Sequence, residues 1–156
     1  MDDLNRALAL NPKQAETWYL RGVANVARED FPRATADYNE ALKLNPEEAR
    51  AHWLRSRILA AAGRPKEALA AVETALKLDP KAAEYILSRA GLLADQGLFD
   101  AALKDNETVL AGTQKLPHYQ ARAWKQRGDL LADGPEPDEE AALDAHSRAI
   151  RLAESI

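Results

Sequence analysis

The sequence predicts an all-α solenoid, in which pairs of helices stack one upon the next. Three observations predict this class: a repeat period of about 34 residues, small or apolar residues at fixed positions of the period, and a proline that ends successive repeats. The positions Gly22, Ala34, Ala41, Leu44 and Pro46 are followed one period later by Ser56, Ala68, Ala75, Leu78 and Pro80, and after another period by Ala90, Ala102 and Val109. A helix pair of this length cannot bury its apolar face alone, so neighbouring repeats must share one core.

The chain opens inside the second helix of a pair. Its residues Leu4, Ala7, Leu8, Leu10 and Pro12 have the spacing of Tyr38, Ala41, Leu42, Leu44 and Pro46. We therefore expect residues 1–12 to form a partial repeat that has a second helix only. This start predicts that the sequence is a fragment of a longer protein, and the alternative is a lone helix that caps the stack.

Four complete repeats follow, and we expect them at residues 14–46, 47–80, 81–114 and 117–154 of a single repeat domain, 1–156. The first contains helices at about 14–29 and 31–44, and Asn45-Pro46 ends the second of them. Glycines at 63 and 97 fall in the turns inside the next two pairs. Beyond Val109 the register slips, because the spacing from Ala90 to Gly128 is longer than one period and Gly112-Thr113-Gln114 replaces the proline stop.

The pattern resembles the tetratricopeptide repeat family, in particular its bacterial-type repeats. The first complete repeat matches the family consensus at Trp18, Gly22, Ala34, Tyr38, Ala41 and Pro46. Arg21 and Asn25 depart from it, since the family usually has leucine and tyrosine there. The resemblance implies a right-handed superhelical solenoid of antiparallel helix pairs (tetratricopeptide repeats), with a concave groove that binds partner proteins.

An arginine occupies the slot of a consensus leucine in every complete repeat. These residues are Arg21, Arg55, Arg89 and Arg127. A buried guanidinium is costly unless a carboxylate or carbonyl pairs with it. Asp37, Asp105 and Asp3 occupy one common slot of the second helix. We therefore expect structural ion pairs, of Arg21 with Asp3 or Asp37 and of Arg89 with Asp105 or a neighbour; anion binding by these arginines is the alternative.

The resemblance also implies which side chains face the groove. The expected partner-binding residues are Tyr19, Leu20, Val23, Arg50, Trp53, Leu54, Arg57 and Lys125. Tyrosine, tryptophan and arginine are typical of interaction hot spots. The alternative for Tyr19 and Trp53 is that they seal contacts between neighbouring repeats. The family's clamp for chaperone tails is absent, because its cationic and amide positions hold Tyr19, Val23, Leu54, Glu84 and Ser88.

Composition and motifs exclude several other classes. The net charge of -4 argues against a general nucleic-acid binder, and no apolar run reaches the roughly 18 to 20 residues of a membrane span. The sequence has no cysteine, no phosphate-binding glycine loop and no nucleophile elbow, and His52, His118 and His146 lie far apart. We expect no enzymatic activity, no cofactor and no metal site.

Two hypotheses for function follow. The first is a non-enzymatic interaction module that binds a partner peptide or helix in the groove, with an acidic group near Arg50 or Arg57. The second is a scaffold that stacks on further repeats or on another copy through its ends, at Leu4 and Leu8 and at Ile150, Leu152 and Ile156. A regulatory segment of a larger protein is a third alternative. We expect a cytoplasmic location, with the periplasm as the alternative.

Overall fold

Every regular element in the part of the chain that the structure describes is an α-helix. The structure, a computed structural model, describes residues 1–113 and 116–155. The helices are α1 (Asp2–Leu10), α2 (Ala15–Ala27), α3 (Phe31–Leu44), α4 (Ala49–Ala61), α5 (Pro65–Leu78), α6 (Ala83–Ala94), α7 (Phe99–Gly112), α8 (Pro117–Asp133) and α9 (Glu139–Ala153). The predicted all-α repeat fold is confirmed. Gln114, at the expected end of the third repeat, and Ile156, an expected end residue, lie outside the described residues.

The helices form two compact units, residues 1–80 with α1 to α5 and residues 81–156 with α6 to α9. In unit 1, α2 packs against α3 and α4, and α4 packs against α3 and α5. In unit 2, α6 packs against α7 and α8, and α8 packs against α7 and α9. Within each unit, the first helix of a pair thus contacts both its own second helix and the first helix of the next pair.

Close packing in unit 1 explains the small residues of the repeat. Ala34 and Ala41 have no exposed surface, and a Cβ atom on Gly22 would lie 2.6 Å from Leu54 Cδ2. A larger side chain at position 22 would therefore push α2 away from α4. In the last repeat of unit 2, Gly128 holds the slot of Gly22, and a Cβ atom there would lie 2.4 Å from the His146 ring.

The helix ends follow the local chemistry that the sequence predicts. Asn45 and Asp79 end α3 and α5, each directly before a proline. Asp30 and Asp138 cap the starts of α3 and α9, and their carboxylates accept hydrogen bonds from the backbone N–H groups of Arg33 and Ala141. Such a cap satisfies a backbone donor that the helix itself leaves without a partner.

The turn inside each of the first three helix pairs places one residue in the left-handed backbone region. These residues are Glu29, Gly63 and Gly97, with φ of 59°, 70° and 75°. Glycine adopts this region at little cost, whereas an L-residue there costs roughly 1 to 2 kcal/mol. The first turn therefore carries backbone strain at Glu29, whereas the equivalent turns of the next two repeats have glycine.

We expect Glu29→Gly to raise the free energy of unfolding by about 0.5 to 1 kcal/mol, because relief of strain outweighs the added freedom of the unfolded chain. Denaturant unfolding followed by circular dichroism measures the change. Gly63→Ala, which creates the same strain in the next turn, is the matched control and should destabilise by a similar amount. No gain from Glu29→Gly would contradict this reading of the turn.

Candidate functional site

The candidate binding surface lies on the neighbouring helices α2 and α4 of unit 1. Each helix carries one residue set with the spacing i, i+3, i+4 and i+7, which places the set on one helical face. The sets are Glu16, Tyr19, Leu20 and Val23 on α2, and Arg50, Trp53, Leu54 and Arg57 on α4. Arg50 joins the two faces, because its Nη1 lies 3.1 Å from Glu16 Oε1 and its guanidinium lies 5.0 Å from the centre of the Tyr19 ring. We call these two faces together the α2/α4 surface.

The apolar members of the α2/α4 surface differ in exposure. Leu54 has no exposed surface and belongs to a core cluster with Ala51 and Ile58, so the expectation that it contacts a partner is wrong. The reason is the glycine at position 22, which leaves room for the Leu54 side chain between the helices. Tyr19 and Trp53 each retain only 9% of their surface, whereas Leu20 is 44% exposed. Leu20 is therefore the accessible apolar side chain here.

Arg50 is held by two carboxylates. Its Nε donates a hydrogen bond to Glu48 at 2.9 Å, and its Nη1 donates one to Glu16 at 3.1 Å. The hydrogen bond to Glu48 raises the pKa of Arg50 above its ordinary value; partial burial opposes this rise, and Glu16 adds to it. A partner carboxylate at Arg50 would have to displace one of these acids, so the expectation that Arg50 receives an acidic group is not favoured.

Arg57 differs from Arg50 in its surroundings. Its guanidinium lies 5.1 Å from the centre of the Trp53 ring, and the side chain is exposed. Among residues 1–113 and 116–155, no carboxylate forms an ion pair with it. The ring covers one face of the guanidinium, and the side chain remains exposed to solvent.

A buried ion pair connects α2 with α3. Arg21 Nη2 lies 2.7 Å from Asp37 Oδ1, Arg21 Nε is 3.1 Å from the same oxygen, and Asp37 is 1% exposed. Asn25 Nδ2 donates a further hydrogen bond to Asp37 Oδ2 at 2.8 Å. The remaining Arg21 nitrogen donates to Asn5 rather than to Asp3. The role of Asn25 was not predicted; its signal in the sequence is a polar residue at a slot where the family has tyrosine.

Unit 2 has a similar ion pair in the same slots. The arginines that hold this slot in the other two repeats, Arg55 and Arg127, form no such pair with their own second helix. Arg89 donates to Asp105 from Nε at 2.8 Å and from Nη2 at 2.6 Å. Arg55 is exposed, because the slot of Asp37 holds Ala71 in the following helix pair. Arg127 donates instead to Glu107 at 3.1 Å. An arginine in this slot therefore pairs within its own helix pair only where the second helix of that pair supplies the carboxylate, and Arg127 pairs instead with α7 of the preceding pair.

The first helices of unit 2 pair their charged groups internally. Arg122 Nη1 lies 2.9 Å from Glu84 Oε2, and Lys125 Nζ lies 2.9 Å from Asp129 Oδ2. His146 Nε2 lies 3.1 Å from the other oxygen of Asp129. Partial burial raises the pKa of Asp129, but the hydrogen bonds from Lys125 and His146 outweigh it, and the net pKa is lowered. Lys125, an expected partner-binding residue, is thus exposed but already paired.

None of the helices in the described part of the chain is long and apolar enough to cross a membrane. Within the same residues, no group of three or more histidine, aspartate or glutamate side chains has an arrangement that could hold a metal ion.

Comparison with known proteins identifies the architecture. The family model for the tetratricopeptide repeat matches residues 24–83 and 57–117, which together make up more than half of the chain. No curated protein matches the sequence.

Solved structures share the fold along most of the chain. YrrB, described as a TPR protein with an unusual peptide-binding site, has a TM-score of 0.71 at 24% identity, over 97% of this chain and 75% of its own. A thermophilic TPR protein of Thermus thermophilus has 0.82 at 19% identity, over 97% and 80%. MamA of Desulfovibrio magneticus RS-1 has 0.75 at 16% identity, over 97% and 82%. Because the repeat model and the stacked helix pairs agree, we conclude that the chain belongs to the tetratricopeptide repeat family.

Proposed function

We propose that this chain is a non-enzymatic protein–protein interaction module, which binds a partner peptide through the α2/α4 surface. Tetratricopeptide repeat proteins are commonly modules of this kind. The observation that carries the proposal is Arg57, an exposed cation that stacks on Trp53 and has no carboxylate among the described residues. An anionic group of a partner would gain an ion pair there without breaking one.

The other cations at the predicted groove positions support this choice by contrast. Arg50, Arg122 and Lys125 already pair with carboxylates of the chain itself. Replacing an existing ion pair by a new one brings little net free energy, because both states contain a pair. Of the cations at the predicted groove positions, Arg57 is therefore the one from which a partner gains most.

The apolar part of the surface adds contact area next to the charge. Leu20 is 44% exposed and Val23 is half-buried, so a partner side chain laid across them would remove apolar area from water. Full burial of a leucine side chain contributes about 1.5 to 3 kcal/mol, and covering the exposed part of Leu20 contributes roughly 1 kcal/mol. Tyr19 and Trp53 are already packed, so they contribute rigid aromatic contact surface and little newly buried area. YrrB shares the fold and is described as having a peptide-binding site, which is consistent with a peptide ligand.

We expect Arg57→Glu to abolish capture of partners from a lysate of the source cells, because the substitution turns attraction of an acidic group into repulsion. Quantitative mass spectrometry of the retained proteins measures capture. The matched control is Arg55→Glu, the same charge change two residues away on α4, at an exposed site outside the α2/α4 surface. Trp53 is left intact, because truncating a buried aromatic would also lower stability.

Both variants should keep the circular dichroism spectrum and melting temperature of the wild type. Partners that are lost from Arg57→Glu and kept by Arg55→Glu would support the proposal. Identical partner sets for all three proteins would contradict it.

A second candidate function is self-assembly through α8 and α9 of unit 2. An apolar groove of about 400 Å³ lies between them. Its lining residues are Ala121, Arg122, Lys125, His146, Ala149, Ile150 and Ala153. Ile150 is 58% exposed. Ala149 and Ile150 occupy the repeat positions that Ala41 and Leu42 occupy in unit 1. There, Ala41 and Leu42 pack with the core cluster that includes residues of α4. A helix of another copy would cover this groove in the same way.

If copies do assemble here, light scattering should show a mass that grows with concentration, and Ile150→Asp should return it to the monomer because a carboxylate in an apolar contact is costly. Leu143→Asp is the control on the same helix, since Leu143 is 68% exposed and does not line the groove. A monomeric mass at all concentrations would reject self-assembly.

A further inference from the structure

We infer that His146 makes self-assembly through the groove between α8 and α9 dependent on pH: copies associate while the ring is neutral and separate once acid protonates it. This inference rests on the second candidate function, in which another copy covers the groove, and it adds the regulation of that contact. Histidine is suited to such a role, because its ordinary change of charge falls roughly between pH 5 and 8.

His146 lies in the wall of the groove, against the backbone of α8. It lines the groove together with Ile150, four residues later on the same face of α9. A Cβ atom on Gly128 would lie 2.4 Å from the His146 ring, so the glycine provides the space in which the ring packs. The His146 side chain keeps 37% of its surface exposed. A second copy that covers Ile150 therefore also removes water from this ring.

The charged groups around His146 balance one another while the ring is neutral. On α8, Asp129 Oδ1 lies 3.1 Å from His146 Nε2, and Asp129 Oδ2 lies 2.9 Å from Lys125 Nζ. Arg122 Nη1, from a residue that also lines the groove, lies 2.9 Å from Glu84 Oε2 of α6. These two cations and two carboxylates sum to zero. Protonation of His146 therefore adds one positive charge that nothing in this set balances.

Other charged groups of α8 and α9 lie outside the groove lining. Asp133 is exposed, one turn beyond Asp129 on α8. Asp144 and Arg148 of α9 pair with each other, with Arg148 Nε 2.8 Å from Asp144 Oδ2. None of these three residues lines the groove or pairs with the His146 ring. Their charges therefore do not enter the balance at the contact.

Covering the groove makes the added charge costly. In the open groove, water solvates a protonated His146 ring, and a second copy removes that water. Arg122 and Lys125 avoid this cost, because their long stems let the charged heads reach solvent at the rim. His146 has a short side chain and packs against α8, so its ring stays in the contact. In a two-fold pair, the second copy adds the same charge on its own side.

Asp129 attracts the protonated ring, which opposes this effect. The attraction acts in the free copy as well as in the covered one, and Lys125 already holds the second oxygen of Asp129. Partial burial raises the pKa of Asp129, but the hydrogen bonds from Lys125 and His146 lower it further, so Asp129 stays charged down to about pH 5. The covered state therefore holds fewer protons than the free state. By linkage, acid shifts the equilibrium toward free copies.

Sedimentation equilibrium of the full chain at about pH 8 and about pH 5.5 tests this inference. The dissociation constant of the wild type should be at least about tenfold larger at the acidic pH, because a difference of one pKa unit between free and covered copies gives a factor of ten. Circular dichroism at both pH values checks that the chain stays folded. A dissociation constant that is unchanged or smaller in acid would overturn the inference.

Two variants assign the effect to one histidine. His146→Gln keeps a neutral side chain that can donate to Asp129 but does not titrate, so its dissociation constant should be the same at both pH values. His118→Gln is the matched control, since His118 is exposed on α8 one turn before Ala121 and does not line the groove. This control should keep the pH dependence of the wild type. Loss of the dependence in His118→Gln, or its persistence in His146→Gln, would contradict the assignment.

Proton counting provides a test that does not require His146→Gln to assemble. The heat of dissociation on dilution, measured near pH 6.5 in two buffers that differ in ionisation enthalpy, gives the number of protons taken up as copies separate. The wild type and His118→Gln should both take up protons, because the free state holds more of them. Dissociation without proton uptake would overturn the inference.

The outcomes separate this inference from the functions on which it builds. Assembly at neutral pH without pH dependence rejects the role of His146 and leaves self-assembly in place. A wild type that is monomeric at about pH 8 at all concentrations rejects self-assembly and its regulation together. Peptide binding by the α2/α4 surface is tested separately, by the capture experiment with Arg57→Glu.

Discussion

Arg21→Ala is expected to lower the free energy of unfolding by about 3 kcal/mol. Asp37 is 1% exposed, and Arg21 supplies three of the four hydrogen bonds to its carboxylate that the structure shows. Without Arg21 only the Asn25 amide remains, and no cation balances the buried charge. The cost of breaking a buried pair from one side comes mostly from the stranded partner. The loss of the stacking contact between Arg21 and Trp18, at 4.7 Å, adds to it.

Denaturant unfolding followed by circular dichroism measures this loss. The matched control is Arg55→Ala, which removes the same side chain from the same slot of the next repeat, where Ala71 stands in place of the carboxylate and the arginine is exposed. Arg55→Ala should change stability by no more than about 0.5 kcal/mol. Equal effects of the two substitutions would show that the slot, and not the ion pair, determines stability.

Leu54→Ala is expected to destabilise unit 1 by about 2 to 5 kcal/mol. The side chain has no exposed surface and fills the space that Gly22 leaves between α2 and α4. Its removal takes away apolar contacts and leaves a cavity, and the tightly packed alanines around it offer little to fill that cavity.

The control for this prediction is Leu10→Ala, the same truncation at a leucine that is 87% exposed, with an expected change within about 0.5 kcal/mol. Stability and peptide capture should both be measured for Leu54→Ala. A variant that unfolds as the wild type does but fails to capture peptides would identify Leu54 as a binding contact, against its burial.

Much of the fold could be predicted from the sequence because repeats are encoded locally. The repeat period, the prolines that end α3 and α5, and the glycines of the turns all act through neighbouring residues of the chain. The Glu29 turn is an exception to the pattern. The backbone there adopts the same left-handed conformation without glycine.

The sequence alone determined the helix pairs, their order, and the slots of the arginines and aspartates, but it left Asp3 and Asp37 as alternative partners of Arg21. Only the tertiary structure decided that Leu54 is buried, that Asn25 completes the shell of Asp37, and that Arg50 is neutralised while Arg57 is not. The physical reason is that periodicity sets which face of a helix a residue occupies, whereas pairing and burial depend on distances between side chains of different helices. An ion pair or a packing contact forms only where those distances are short, as between Arg21 and Asp37 at 2.7 Å.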